Sequence, residues 1–440
     1  MSESRTLRLA VVAAVTVVVL ALIVLSSRDE RVEPAHAALA KSRASQAVPR
    51  HAQAPRMATP SVAQETVLPV SAAMTACIDQ ARLLRIRSGW TDLDEDAARD
   101  LEQRSEREAL ASMAASADPL ARAAADYFEA RRHLFALASP PVCGGQDSTC
   151  RERLDARAAA AARHAERLVG QALATANPLV YGWAYRVCTA PGRSVAPACQ
   201  LVGAAQWARL DPGNATPWFA VAQEAQRGKD RARLDEAMFQ IGSAERHDGR
   251  TFVLPALLAA HASPADANPF GAGLLATKGE GLGAMADVDD MQSASAYCSV
   301  AELANANRRE VCQRVGTLIA ERSATWPARS TGRGLGKRLG WSPERLQALA
   351  EASDARSALL LQLPPAAGSP ACSAILRDLE HIRSAAAVGD VEAVRRRVAA
   401  SGESPAVLAA RHRAEVQAVA IELEIQAAAT PYSAIPPPAR

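Results

Sequence analysis

The chain has 440 residues, of which 49% are hydrophobic and only 4% aromatic, and its formal net charge is +3 at pH 7. This charge is too small for the length to indicate a nucleic-acid partner or an acidic substrate. Alanine supplies much of the apolar fraction, and sequences rich in alanine, leucine, arginine and glutamate favour helices over sheets. The composition therefore predicts an all-α protein.

The first feature along the chain is an apolar segment from Leu9 to Leu25 that holds no charged residue. As a helix it would be roughly 26 Å long, close to the ~30 Å hydrocarbon core of a bilayer. We predict an inner-membrane anchor over residues 9–27, with residues 1–8 as a cytoplasmic tail. The flanking arginines give no clear orientation, but eight cysteines suit an oxidising compartment, so the bulk of the chain is predicted to be periplasmic. The alternative is a cleaved signal peptide with its site at Ala35-His36-Ala37.

Composition and periodicity divide the remainder of the chain. Residues 28–70 are rich in alanine, proline, serine and glutamine and predict a flexible tether, and residues 429–440 predict a tail. Between them, helical patterns alternate with short breaks, which is typical of antiparallel helical hairpins. Five glycines at residues 263–286 predict a loop or broken helix that connects a helical half at 71–262 to a second half at 287–428.

One turn carries the most specific local pattern. Asp211, Pro212 and Asn214 form a turn sequence, which is followed by Trp218 and Ala222. This arrangement resembles the junction between tetratricopeptide repeats, in which such a turn ends one helical hairpin and a tryptophan opens the next. The resemblance implies a tetratricopeptide-like solenoid of helical hairpins behind the anchor. It also implies a concave surface that binds other proteins, and it implies no chemistry.

The resemblance covers about residues 172–247 and departs from the family's pattern in one place. An echo of the turn begins at Asn177, 37 residues before Asn214. The Asp-Glu-Ala segment that opens the second helix in the family occurs a few positions late, at residues 235–237. The second helix of this hairpin is therefore predicted to be longer than in the family.

The cysteines are spaced in a way that predicts disulfides. Three close pairs flank breaks between predicted helices, and the two remaining cysteines would join the start of the helical region to its end. The predicted bonds are Cys143–Cys150, Cys188–Cys199, Cys298–Cys312 and Cys77–Cys372. The pair at 298 and 312 requires a hairpin turn, because an unbroken helix would hold the two Cα atoms about 21 Å apart. Unpaired buried thiols and a metal or redox site are the alternatives, and no Cys-x-x-Cys motif supports the second.

Candidate chemical motifs fail on their context. Residues 332–337 lack the first glycine and the Ser or Thr of a phosphate-binding loop, and residues 271–276 have dinucleotide-fingerprint spacing without a preceding strand. The eight histidines are dispersed, with no His-Glu-x-x-His motif. The sequence therefore predicts no cofactor, no metal site, no small-molecule substrate and no catalytic constellation.

Two functions remain. The anchor, the tether and the repeat-like turn favour a membrane-anchored periplasmic helical scaffold that binds other envelope proteins without catalysis. The alternative is a cell-wall hydrolase, because Glu403-Ser404 resembles the catalytic dipeptide of lytic transglycosylases. That family continues with Gly-Leu-Met-Gln, whereas this chain continues with Pro405-Ala406-Val407-Leu408. A helix start is the better interpretation of the dipeptide, so the scaffold is our prediction.

Overall fold

The computed structural model describes residues 72–83, 95–138, 143, 148–190, 196–262, 268–361 and 370–429. These residues all lie in one compact unit, Pro69–Arg440. The predicted anchor from Leu9 to Leu25, the tether at 28–70 and nearly all of the tail at 429–440 lie outside the described residues. Within the described ranges, no helix is long and apolar enough to cross a membrane.

The described residues are all-helical, as the composition predicts, and no strand occurs among them. Two short 3-10 helices occur at Pro197–Leu201 and Glu302–Ala304. The α-helices are, in chain order, α1 Ala72–Leu83, α2 Glu95–Ala115, α3 Pro119–Ala138, α4 Ser148–Thr175, α5 Pro178–Cys188, α6 Ala204–Leu210, α7 Ala215–Arg227, α8 Arg231–Ser243, α9 Val253–His261, α10 Pro269–Tyr297, α11 Ala306–Arg322, α12 Trp326–Arg338, α13 Pro343–Leu361, α14 Pro370–Val388, α15 Asp390–Ser401 and α16 Pro405–Ala429.

Several helices begin where the sequence offers a capping side chain. Asn177 accepts a hydrogen bond from the backbone N–H of Leu179 at 2.9 Å, at the start of α5. Asn214, Asp230 and Asn305 cap α7, α8 and α11 in the same way. These side chains satisfy backbone N–H groups that a helix start leaves without an intrahelical partner. The boundaries of these helices therefore follow from local sequence.

The glycine-rich stretch at 263–286, predicted to be a loop or a broken helix, is helical over most of its length. From Pro269 onward it is the first part of α10, a continuous helix of 29 residues. A Cβ at Gly279 would lie 3.0 Å from the Cα of Pro255 on α9, so the glycine allows the two helices to approach closely. Helix propensity ranks glycine low, and it does not reveal that a tertiary contact requires the absence of a side chain.

Helix α10 lies at the centre of the packing. It contacts α1, α2, α7, α9, α11, α12 and α14, which come from both ends of the described chain. Elsewhere consecutive helices pack as neighbours, including α3 with α4, α7 with α8 and α11 with α12. The main hydrophobic core draws on the whole range, and its largest fully buried side chains include Phe128, Tyr181, Phe219 and Phe270. A smaller core surrounds Trp326, with residues from α12, α13, α15 and α16.

Loops between helices are tied to each other through their backbones. Asn214, before α7, forms a parallel bridge with Arg246, which follows α8. His247 in the same loop bridges Ser323, which follows α11. One step further, the N–H of Val391 in α15 donates to the carbonyl of Ala324 at 3.2 Å. These bonds join the ends of helices that are distant in sequence.

Candidate functional site

The structure brings the eight cysteines together in the four predicted pairs, each at disulfide distance. The Cα–Cα separation is 5.3 Å for Cys188–Cys199 and 5.7 Å for Cys77–Cys372, Cys143–Cys150 and Cys298–Cys312. These separations lie in the range that a disulfide requires. The turn needed by Cys298–Cys312 is present, because α10 ends at Tyr297 and α11 begins only at Ala306. Disulfides are typical of proteins in an oxidising compartment.

The residues of the repeat-like turn connect α6 to α7. Asp211 ends α6, and Asn214 caps α7 and donates from its side-chain amide to Asp211 Oδ2 at 2.9 Å. The indole N–H of Trp218 donates to the Pro212 carbonyl at 3.4 Å. Ala222, one turn further along α7, is fully buried. The turn is thus a cap and a packing junction, and its residues form no chemical site.

An open cleft of about 590 Å³ lies between α2, α3 and α4. Leu110, Ala111, Ala114 and Ala125 supply its apolar surface. Charged side chains of both signs supply most of the rest. The cleft therefore combines an apolar area with charged groups that can orient a ligand or a polypeptide segment.

Asp126 is a buried carboxylate at the wall of this cleft. Its Oδ1 accepts hydrogen bonds from Arg167, from Nη2 at 2.7 Å and from Nε at 3.0 Å, and lies 2.9 Å from Nδ1 of His164. Its Oδ2 accepts from the amide of Gln171 at 3.1 Å. A buried carboxylate is costly unless such donors surround it. These contacts hold α3 and α4 in register at the cleft.

A second buried carboxylate, Glu106 on α2, extends the polar network. It accepts from Arg132 on α3 at 3.1 Å and from Lys278 on α10. Arg132 also donates from Nε to Oε2 of Glu129 at 2.9 Å, and Lys278 donates to Glu102 at 2.9 Å. The ion pairs therefore link three helices around the cleft.

Three side chains with metal-ligating atoms meet beside this network. Glu129, His133 and His164 each offer one ligand atom, and these atoms lie within 4.8 Å of one another. The Nε2 atom of His133 is 3.7 Å from Oε2 of Glu129, and the two imidazole centroids are 6.2 Å apart. Burial lowers the pKa of His133, and the guanidinium of Arg132 lowers it further. The neutral imidazole, which is the form that binds metals, is therefore favoured.

Sequence reasoning missed this cluster and predicted no metal site. The local signal was the four-residue spacing of Glu129 and His133, which places both on one face of a helix. No histidine pair or cysteine motif accompanies that signal in the sequence. His164 joins them only because α4 packs against α3, which is a tertiary contact.

The Glu403-Ser404 dipeptide lies at the start of α16 and outside the cleft. Both carboxylate oxygens of Glu403 accept from Arg411, at 2.9 and 3.0 Å. The hydroxyl of Ser404 accepts from the backbone N–H of Val407 at 3.3 Å. A glutamic acid that acts as a general acid is usually held in apolar surroundings. The ion pair with Arg411 therefore favours the interpretation as a helix start.

No protein-family model, curated protein or solved structure matches this chain. In the part of the chain that the structure describes, the arrangement best suited to binding is the cleft between α2, α3 and α4, with the Glu129, His133 and His164 cluster beside it.

Proposed function

We propose that this protein is a membrane-anchored periplasmic scaffold that binds other envelope proteins through its helical region and has no catalysis of its own. The cleft between α2, α3 and α4 is the observation that carries this proposal. Its apolar residues lie among arginines and carboxylates, and protein-recognition surfaces commonly combine an apolar centre with a polar rim. We propose that the cleft receives a polypeptide segment of the partner.

The location rests on two kinds of support. Four cysteine pairs at disulfide distance favour an exported protein. The apolar segment from Leu9 to Leu25 is the proposed inner-membrane anchor, on its length and lack of charge. Together they support a chain whose helical region lies on the periplasmic side.

We also propose that tetratricopeptide-like solenoid order is local, confined to α6, α7, α8, α11 and α12. Packing of α6 on α7, α7 on α8, α8 on α11 and α11 on α12 supports this order, as does the capped turn at Asp211 and Asn214. In an open solenoid each repeat contacts only its neighbours. Helix α10 instead contacts helices from both ends of the described chain, which is why the proposed repeat order is limited to part of the fold.

The alternative, a lytic-transglycosylase-like hydrolase, has less support. It requires Glu403 to donate a proton to a bound glycan. The carboxylate is instead paired with Arg411 through both oxygens. A Glu403→Gln variant tests it directly: the scaffold predicts unchanged partner capture, whereas a hydrolase would lose peptidoglycan cleavage.

Site-specific photo-crosslinking in cells tests the scaffold. A photoreactive residue at Ala114, exposed on α2 at the cleft, should crosslink to a defined envelope protein. The matched control carries the same residue at Ala400, exposed on α15. Crosslinks of equal yield and pattern at the two positions, or none at Ala114, would contradict binding through the cleft.

A further inference from the structure

We propose that Glu129, His133 and His164 form a binding site for a divalent transition-metal ion, with Zn²⁺ as the favoured ion. This proposal does not rest on the scaffold function. It rests on the placement of three ligand atoms by two packed helices, on the chemistry of the donor set, and on a carboxylate that orients one of the imidazoles.

The placement follows from helical spacing. Glu129 and His133 follow Asp126 by three and seven positions along α3, so the three residues share one face of that helix. His164 lies on the facing side of α4, where it contacts Asp126. Side chains on facing helices of a bundle are a recurrent way to build a metal site inside helical proteins.

The spacing of the ligand atoms is close to that of a loaded site. They lie within 4.8 Å of one another, and Nε2 of His133 is 3.7 Å from Oε2 of Glu129. In a tetrahedral zinc site with bonds near 2.1 Å, adjacent ligand atoms are roughly 3.4 Å apart. Side-chain rotation can shorten the distances between the ligand atoms to this value, since none of the three residues is fully buried.

The donor set discriminates between ions. Two imidazoles and one carboxylate suit Zn²⁺ and its neighbours in the first transition row, whereas Ca²⁺ and Mg²⁺ prefer oxygen ligands. Three protein ligands leave a fourth position of a tetrahedral ion for water or for a further ligand. Glu129 and His164 also line the cleft, so a bound ion would lie at its wall.

Asp126 supplies the supporting contact that metal-bound histidines usually have. Its Oδ1 is 2.9 Å from Nδ1 of His164, and Nη2 of Arg167 lies 2.7 Å from the same nitrogen. Both contacts engage Nδ1, which leaves Nε2 as the nitrogen for the ion. A carboxylate in this position fixes the orientation of the ring. Asp126 is itself held by Arg167 and Gln171. We infer that Asp126 positions His164 without touching the ion.

Positive charges near the cluster oppose a cation and limit the affinity. Arg132 contacts Oε2 of Glu129, and Arg167 contacts both Asp126 and Nδ1 of His164. Both guanidiniums are engaged by carboxylates, because Glu106 also pairs with Arg132. We expect one ion per chain, bound more weakly than in a structural zinc site.

The test uses the full chain, untagged, in detergent and with its disulfides intact, so that cysteine thiolates do not bind metal. Co²⁺ serves as a spectroscopic probe, since imidazole and carboxylate coordination of low symmetry gives intense visible bands. We expect such bands to saturate at one Co²⁺ per chain and to disappear when Zn²⁺ is added. Absence of saturable Co²⁺ or Zn²⁺ binding would overturn the proposal.

Variants assign the ligands. His164→Ala and His133→Ala should each lower the affinity for Zn²⁺ at least tenfold in calorimetric titration, and Asp126→Asn should lower it about 10-fold to 100-fold. His412→Ala, a histidine on α16 outside the cluster, is the matched control and should bind like the wild type. Glu129→Gln keeps the shape of the side chain but removes its charge, so it should also weaken Zn²⁺ binding. A loss of affinity in this isosteric variant is not explained by a folding defect. Unchanged affinity in both cluster histidine variants would also overturn the site.

Discussion

At the scale of single residues, His247 is a histidine that folding removes from water. It is buried, with Nδ1 2.9 Å from the Ser323 hydroxyl and its ring 5.4 Å from that of Phe219 in an edge arrangement. Desolvation lowers the pKa of His247 from 6.5 to about 4, and the charge of Arg186 contributes to the same shift. The folded protein therefore holds this imidazole neutral at pH values where the unfolded chain protonates it.

This difference predicts a pH dependence of stability. Between about pH 6.5 and 4 the unfolded state binds a proton that the native state does not, so the free energy of unfolding falls as the pH falls through this window. The loss attributable to His247 should reach about 3 kcal/mol at most. Urea denaturation at pH 7, 5.5 and 4 measures it. His247→Gln removes the titrating group and should show a shallower pH dependence. Parallel curves for the two proteins would contradict the assignment.

Two glycines of α12 predict opposite effects of the same substitution. A Cβ at Gly332 would lie 2.7 Å from the Cα of Ala320 on α11, whereas nothing lies within 4 Å of one at Gly334. Gly332→Ala should lower the free energy of unfolding by about 1–3 kcal/mol through overpacking. Gly334→Ala should raise it by about 1 kcal/mol, because alanine is the better helix former. Chemical denaturation of both variants tests the pair, and equal effects would refute the packing argument.

At the scale of elements, two asparagine caps are expected to contribute unequally to the free energy of unfolding. Asn177 is exposed and only caps α5, whereas Asn214 is buried and also exchanges hydrogen bonds with the backbone of Asp248. Asn177→Ala should cost about 1 kcal/mol of stability. Asn214→Ala should cost about 2–4 kcal/mol, since it also leaves the Asp248 backbone groups without a partner. Thermal or urea unfolding of the two variants distinguishes them, and equal losses would mean that the loop bridge contributes nothing.

The elements also show how far sequence reasoning reached. The all-α fold follows from the alanine content of the sequence. Many helix starts follow from capping asparagines and from prolines. The glycine-rich start of α10 could not be predicted in this way, because its glycines are required by close contacts with other helices. For the same reason the sequence does not reveal the cluster of Glu129, His133 and His164. Glu129 and His133 are neighbours on one helix by spacing, but only the packing of α4 brings His164 to them.

At the scale of the whole molecule, the four cysteine pairs differ in the length of chain that they close. Cys143–Cys150 closes 7 positions and Cys77–Cys372 closes 295. Loop-closure entropy alone gives about 2.5 kcal/mol for the short bond and about 6 kcal/mol for the long one. Replacing both cysteines of the long bond by serine should therefore destabilise the protein more than the same change in the short bond. Urea unfolding of the two double variants measures the difference, and a larger loss from the short bond would contradict it.

The long bond also changes how the molecule would carry mechanical tension. Force that enters at α1 and leaves at α16 passes along the covalent chain from Cys77 directly to Cys372, so the chain between them cannot be drawn out while the bond is intact. Only the segments outside the bond can be stretched until it is reduced. Pulling at residues 72 and 429 with optical tweezers should show a short extension under oxidising conditions. Reductant should release roughly 1,000 Å more, the contour of the shielded stretch.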